Sequence, residues 1–274
     1  MVEKKALRGE IAYYTRAIEL DPTYAEAYYH RGKAHASWTG GLDNAVSDYS
    51  EAIRLKPDFG KAYLGRAKAY IWMNRDAQAW ARAYEMLAEQ LSEQIEGFGQ
   101  ADANASPEPE TYWDEALGDL TKAIELGECN TAALIERSAL YCELERFEEA
   151  IVDCDKAISC LDAQRRNLVW RSEIEEKWGL LGWSYGQAYL QRGKAYWGEH
   201  NTTQAFADFD QAIHMGGAQE AYLFRGALYY YDDDNGYRDE AREDLREYLK
   251  GGAGDLYKEQ ALEMLEELES DDSP

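Results

Sequence analysis

Much that would fix a function is scarce in this 274-residue chain. Its four cysteines (Cys129, Cys142, Cys154, Cys160) form no C-x-x-C, and three stand where small buried side chains are wanted, so neither a zinc site nor a disulfide frame is expected. The four histidines (His30, His35, His200, His214) are scattered, with no H-E-x-x-H spacing. The G-x-S-x-G spacing occurs once, at Gly182-Trp183-Ser184-Tyr185-Gly186, but within a helical stretch rather than at the strand-to-helix turn a nucleophile elbow needs, and no G-x-x-x-x-G-K-[ST] phosphate loop occurs, so catalytic chemistry finds no foothold and no cofactor is implied. No apolar run of about 18 residues is present, and the first turn leads into charged sequence, which predicts a cytoplasmic protein without a membrane span. Basic side chains are in deficit: 29 Lys and Arg against 53 Asp and Glu leave a formal charge of −24. Nucleic acid, held by phosphate neutralisation, is thereby excluded as a general partner, and the field favours a basic one.

What the chain has is internal repetition. One block recurs five times: Ala27-Tyr28-Tyr29-His30-Arg31-Gly32, Ala62-Tyr63-Leu64-Gly65-Arg66-Ala67, Ala133-Leu134-Ile135-Glu136-Arg137-Ser138, Ala188-Tyr189-Leu190-Gln191-Arg192-Gly193 and Ala221-Tyr222-Leu223-Phe224-Arg225-Gly226. Apolar residues fall at helical spacing, and a small residue follows each arginine, where a neighbouring helix can approach closely. A second block follows each first one: Ala45 to Ile53, Ala116 to Ile124, Ala150 to Ile158, Ala205 to Ile213 and Ala241 to Leu249. A sixth copy, Tyr14 to Pro22, stands near the N-terminus, and Pro22 and Pro57 each end a helix one period apart.

These phased small residues, aromatics and terminal prolines resemble the tetratricopeptide repeat family, whose units are helix-turn-helix pairs of about 34 residues. The resemblance covers most of the chain and implies an all-α, right-handed superhelical solenoid. The units it implies are a half repeat at 4–22, repeats at 25–59, 60–130, 131–185, 186–218 and 219–252, and a capping helix at 255–269. Two insertions interrupt the period. One, at about 75–111, has a helical part near 76–96 and then a flexible loop rich in glycine and proline. The other, at about 162–185, is helical and anchored by Trp170, Trp178 and Trp183.

Each first helix carries an arginine (Arg31, Arg66, Arg137, Arg192, Arg225), and each second helix an aspartate (Asp48, Asp119, Asp153, Asp208, Asp244). Partly buried charges are normally paired, so intra-repeat ion pairs are favoured over an anion-binding role. The mate of Arg66 is then the 112–126 helix, because the inserted helix offers Arg82 at the equivalent place.

In the resembled family the first helices line a concave groove. Carried over, that groove holds Tyr29, Lys33, Leu64, Lys68, Trp72, Ile135, Leu190, Lys194, Trp197, Leu223 and Tyr230. The implied function is a non-enzymatic protein-interaction scaffold that binds a peptide or partner helix there. Some relatives clamp chaperone tails with lysine, arginine and asparagine; here Lys33 and Lys68 replace the asparagines and Tyr29 the first lysine, which departs from that pattern. The alternative is a structural self-assembly module: the N-terminal helix shows an apolar face (Ile11, Tyr14, Ile18) without sequence-local cover, and this unpaired end and the two insertions would build a homo-oligomer whose groove is filled by self. A calcium loop at 231–236 is rejected, since its twelfth position is Arg242, and no metal is expected.

Overall fold

A computed structural model of the chain describes residues 2–38, 40–94, 111–127, 129–168, 174–216, 218–232, 236–251 and 257–270. Every element among them is an α-helix. The chain divides into two units, 1–128 and 129–274. The first contains α1 (Val2–Leu20), α2 (Ala25–Ala36), α3 (Leu42–Leu55), α4 (Gly60–Gln94) and α5 (Trp113–Glu125). The second contains α6 (Thr131–Glu143), α7 (Phe147–Leu168), α8 (Ile174–Gly198), α9 (Thr202–Met215), α10 (Glu220–Tyr231), α11 (Arg238–Lys250) and α12 (Lys258–Ser270).

Within each unit the helices pack as consecutive antiparallel hairpins, α2 with α3 and α4 with α5, then α6 with α7, α8 with α9 and α10 with α11. The reason lies in the second-helix stripe. Ala45, Ala52, Ala116, Ala123, Ala205, Ala212 and Ala241 are fully buried, and their short side chains let the backbones close on the large residues between them. Tyr49 is the wedge of the first unit, touching both α2 and α4: a Cβ on Gly65 would lie 2.7 Å from its ring. Phe209 does the same in the second, where a Cβ on Gly193 would lie 2.6 Å from a ring carbon. Short caps start and stop the helices. Asn130 and Asn201 accept backbone N–H bonds from Ala133 at 3.2 Å and Gln204 at 3.3 Å, and Gly216 closes α9 at φ +73°.

The structure departs from the sequence expectations in several places. The first insertion does not start a new helix: α4 runs unbroken from Gly60 to Gln94, because no proline, glycine or cap separates Met73 from Asp76. Its ends are nonetheless clasped, since Asn74 Oδ1 accepts a 2.8 Å bond from the Tyr112 backbone N–H and the rings of Tyr70 and Tyr112 stack with centroids 5.3 Å apart. The glycine- and proline-rich stretch at 97–110, and Trp170 in the second insertion, lie outside the described residues. The second insertion lengthens α7 and α8 at their junction, and Tyr185 ties the pair by donating to Asp162 at 2.6 Å.

Two expectations are corrected. Cys129 and Cys160 form a disulfide with a Cα–Cα separation of 5.7 Å, joining the residue just before the α6 cap to α7. Their sequence separation of 31 carries no motif, so only the folded hairpin shows that the thiols meet. The N-terminal helix is also covered: Ile18 is buried, Ile11 is half-buried and Tyr14 stacks on His30 with centroids 5.2 Å apart, all against α2.

Candidate functional site

The five arginines are committed internally. Each makes two parallel bonds to its aspartate: Arg31 to Asp48 at 2.9 and 2.6 Å, Arg66 to Asp119 at 2.7 and 2.8 Å, Arg137 to Asp153 at 2.6 and 2.7 Å. Arg192 meets Asp208 at 2.8 Å twice, and Arg225 meets Asp244 at 2.7 Å twice. The Arg66–Asp119 pair bridges 53 residues and so identifies α5 as the mate of α4. The sequence missed a second acceptor. The free guanidinium arm reaches back to the preceding second helix: Arg66 to Ser50 at 2.9 Å, Arg192 to Asp155 at 2.6 Å, Arg225 to Asp210 at 2.6 Å, and Arg31 to Thr15 at 3.4 Å. Ser50, Asp155 and Asp210 each stand two residues after a ladder aspartate, which is the signal that would have found them.

These bonds set the ionisation of the ladder. Hydrogen bonding to Asp208 and Asp244 raises the affinity of Arg192 and Arg225 for their protons. Burial pushes the Asp208 and Asp244 carboxyls above their ordinary value, with the arginine bonds pulling the other way. The guanidinium planes also lie over tyrosine rings, Arg31 over Tyr28 at 5.5 Å and Arg192 over Tyr189 at 5.3 Å. Within each unit the back-bonds of Arg66, Arg192 and Arg225 staple a hairpin to the one before it, and no arginine of the series is left free to hold an anion.

The groove residues fall into three groups. Ile135, Leu190 and Leu223 are buried, so the structure moves them from a contact surface into the core, Leu190 beside Phe209 and Leu223 beside Leu245. The reason is that the same helix face serves packing between successive first helices. Tyr29, Leu64, Lys68, Trp197 and Tyr230 are half-buried. Tyr29 lies between the rings of Tyr49 and Phe59, at 5.9 and 5.0 Å, and burial raises its phenol's pKa. Tyr230 bonds Glu267 of α12 and helps hold that cap. Lys33 and Trp72 are exposed, Trp72 by 55%, with Arg75 5.8 Å above its ring.

In the first unit this leaves an exposed tryptophan and lysine on first helices. In the second the residues that come together are Lys194, Trp197 and Phe224: the lysine Nζ stands 4.7 Å over the Phe224 ring, and Trp197 meets it edge-on at 5.8 Å. Phe224 was missed by the sequence reading because its equivalents are His30, Gly65, Glu136 and Gln191, which share no chemistry. Cys142 lies nearby on α6, donating to the Gln191 carbonyl at 3.6 Å, and burial pushes its thiol up to about 11. Cavities occur elsewhere among the described residues. One of about 530 Å³ lies between α1 and α2, lined by Glu10, Tyr13, Tyr14, His30 and Lys33. Another of about 410 Å³ lies beside Tyr222, Tyr229, Glu240 and Glu243. Among the described residues no three His, Cys, Asp or Glu side chains gather as metal ligands do, and no helix is long and apolar enough to cross a membrane.

Comparison with known proteins agrees with this architecture. Residues 11–37, spanning α1 and α2, match the family described as TPR repeat. No curated protein sequence matches the chain. Among solved structures it is similar to MamA (residues 41 to the end) from Desulfovibrio magneticus RS-1, at 12% identity and a TM-score of 0.51, over 82% of this chain and 93% of that one. It is also similar to another MamA crystal structure, at 19% identity and a TM-score of 0.50 over 78% and 90%. The protein pilF of Pseudomonas aeruginosa gives 11% identity and a TM-score of 0.50 over 98% and 90%. Residues 11–37 thus match a TPR repeat, and the likeness to these solved structures is one of fold.

Proposed function

We propose that the chain is a non-enzymatic scaffold that holds a peptide or partner helix against the exposed residues of its first helices. The observation that carries this reading is Trp72. A tryptophan more than half exposed on a first helix, with the Arg75 guanidinium 5.8 Å over its ring, still turns most of its surface outward, and such aromatics are the usual anchors of recognition. Lys33 in the first unit and Lys194 in the second supply positive charge on an otherwise acidic chain, so a partner segment carrying an acidic or carboxylate group suits the first helices. The arginine ladder supports the same reading by what it takes away: its charges build the stack and do not select the ligand.

Immobilised wild type is compared with Trp72→Ala, both checked for equal helicity. Loss of a specific bound protein in the variant supports the reading, and equal recovery overturns it for the first unit. A second reading, self-assembly through the N-terminal end, is favoured by one observation: α1 departs from every other second helix at two ladder positions. Location is the part of the sequence reading that the Cys129–Cys160 bond pulls against, because persistent disulfides belong to oxidising compartments. An acid-quenched thiol count settles it, four thiols supporting the cytoplasm and two counting against.

A further inference from the structure

The five complete second helices share a pattern: an alanine (Ala45, Ala116, Ala150, Ala205, Ala241) and, three residues on, the ladder aspartate (Asp48, Asp119, Asp153, Asp208, Asp244). The alanine lets a first helix approach, and the aspartate receives its arginine. At the same two places α1 carries Glu10 and Tyr13. A first helix of this chain's own type laid on α1 would bring an arginine to a phenol and its backbone to a glutamate. The cavity of about 530 Å³ between α1 and α2 is the slot such a helix would take, and it is built for something else.

Its walls identify the occupant. Tyr14 of α1 stacks on His30 of α2, which fixes the level of the two antiparallel helices. Glu10 is one turn before Tyr14 and Lys33 about one turn after His30, so the two charges stand at the same height on opposite walls. Both are exposed, and among the described residues no hydrogen bond or ion pair is seen from either side chain. Tyr13, 70% exposed, projects from the same face. A ligand of one sign would answer only one wall. A surface with the same two charges, turned about a two-fold axis parallel to the helices, answers both.

We propose that this slot is the contact between two copies of the chain, α1 of each lying against α2 of the other in an antiparallel four-helix arrangement. Glu10 of each copy then pairs with Lys33 of the other, and the two tyrosines at position 13 fill the cavities. The contact rests on the second reading above and is independent of partner capture through Trp72. It involves two helices per copy, and the dimer fraction rises with protomer concentration.

The test exploits the reciprocal pairing. Sedimentation equilibrium is run on wild type, Glu10→Lys, Lys33→Glu, an equimolar mixture of the two variants, and the double variant. Wild type forms a dimer; each single variant places like charges opposite each other and weakens the dimer at least about tenfold. The mixture restores it, since position 10 of one variant then meets position 33 of the other with opposite sign, and the double variant restores it for the same reason. A monomeric wild type at the highest concentration, single variants that dimerise like wild type, or a mixture that stays monomeric overturns the proposal. Should a single variant lose helicity, the double variant decides alone: a dimer supports the pairing, a helical monomer refutes it. Failure of this contact leaves partner recovery through Trp72 unchanged, so the two readings fail separately.

Discussion

Asp208→Ala tests whether the ladder holds the stack. It strips Arg192 of both bonds at 2.8 Å and leaves the guanidinium, 21% exposed at its side chain, with only Asp155 at 2.6 Å. Removing one member of a buried pair costs about 3–5 kcal/mol when the other is stranded. Partial exposure of Arg192 and its remaining bond to Asp155 reduce this to about 2–3 kcal/mol. In a chain of this size that corresponds to a fall in Tm of about 5–10 °C. Asp155, itself 55% exposed, contributes as a surface partner does, so Asp155→Ala costs at most about 1 kcal/mol. Replacing both charges by apolar residues, Arg192→Met with Asp208→Leu, removes the desolvation together with the attraction and brings stability back to within about 1 kcal/mol of wild type. Urea and thermal unfolding followed by circular dichroism read all three. An Asp208→Ala protein within 0.5 kcal/mol of wild type, a figure well inside the range of surface changes, would refute the reasoning. So would a double variant as unstable as the single one.

Further outcomes follow from the same contacts. Gly193→Ala drives a methyl against the buried Phe209 ring and destabilises by about 1–3 kcal/mol, whereas Gly118→Ala, in the middle of α5 with open space around it, stabilises by up to about 1 kcal/mol; urea midpoints separate the two. Cys129→Ser opens a 31-residue closure and lowers stability by about 2–4 kcal/mol. In the intact protein Cys142, pushed up to about 11 by burial, resists alkylation at pH 8, a labelling time course that full exposure would accelerate. The Glu26 carboxyl, held below its ordinary 4.5 by bonding to Lys56, returns towards it in Lys56→Met, as a carbon-detected NMR titration reads. Because its folded pKa is depressed, the stability it supplies is present above 4.5 and is lost as pH falls through the folded value.

The repeats were legible because the same residues recur in phase. Arginine and aspartate in every hairpin predicted the ladder, and the Arg82 mismatch predicted that Arg66 reaches over the insertion to Asp119. What escaped reading is whatever a repeat pattern averages away. Leu190 and Leu223 share a face with groove residues in one hairpin but are consumed by the packing of the next, so an apolar side chain on that face does not tell contact from core. Phe224 stands at a position with no shared chemistry, and the two thiols of the disulfide meet only because α7 turns back along α6. The departures within α1 were visible as letters, Glu10 and Tyr13, but acquired meaning only once the other five second helices showed what those positions do.

Photocrosslinking from single positions tests most directly where a partner is held. A photoreactive phenylalanine analogue is placed at Trp72, exposed on the first helix α4, or at Val152, 65% exposed on the second helix α7. The account predicts that a specific bound protein is trapped from position 72 and not from position 152. Trapping from 152 alone, with nothing captured from 72, would contradict it.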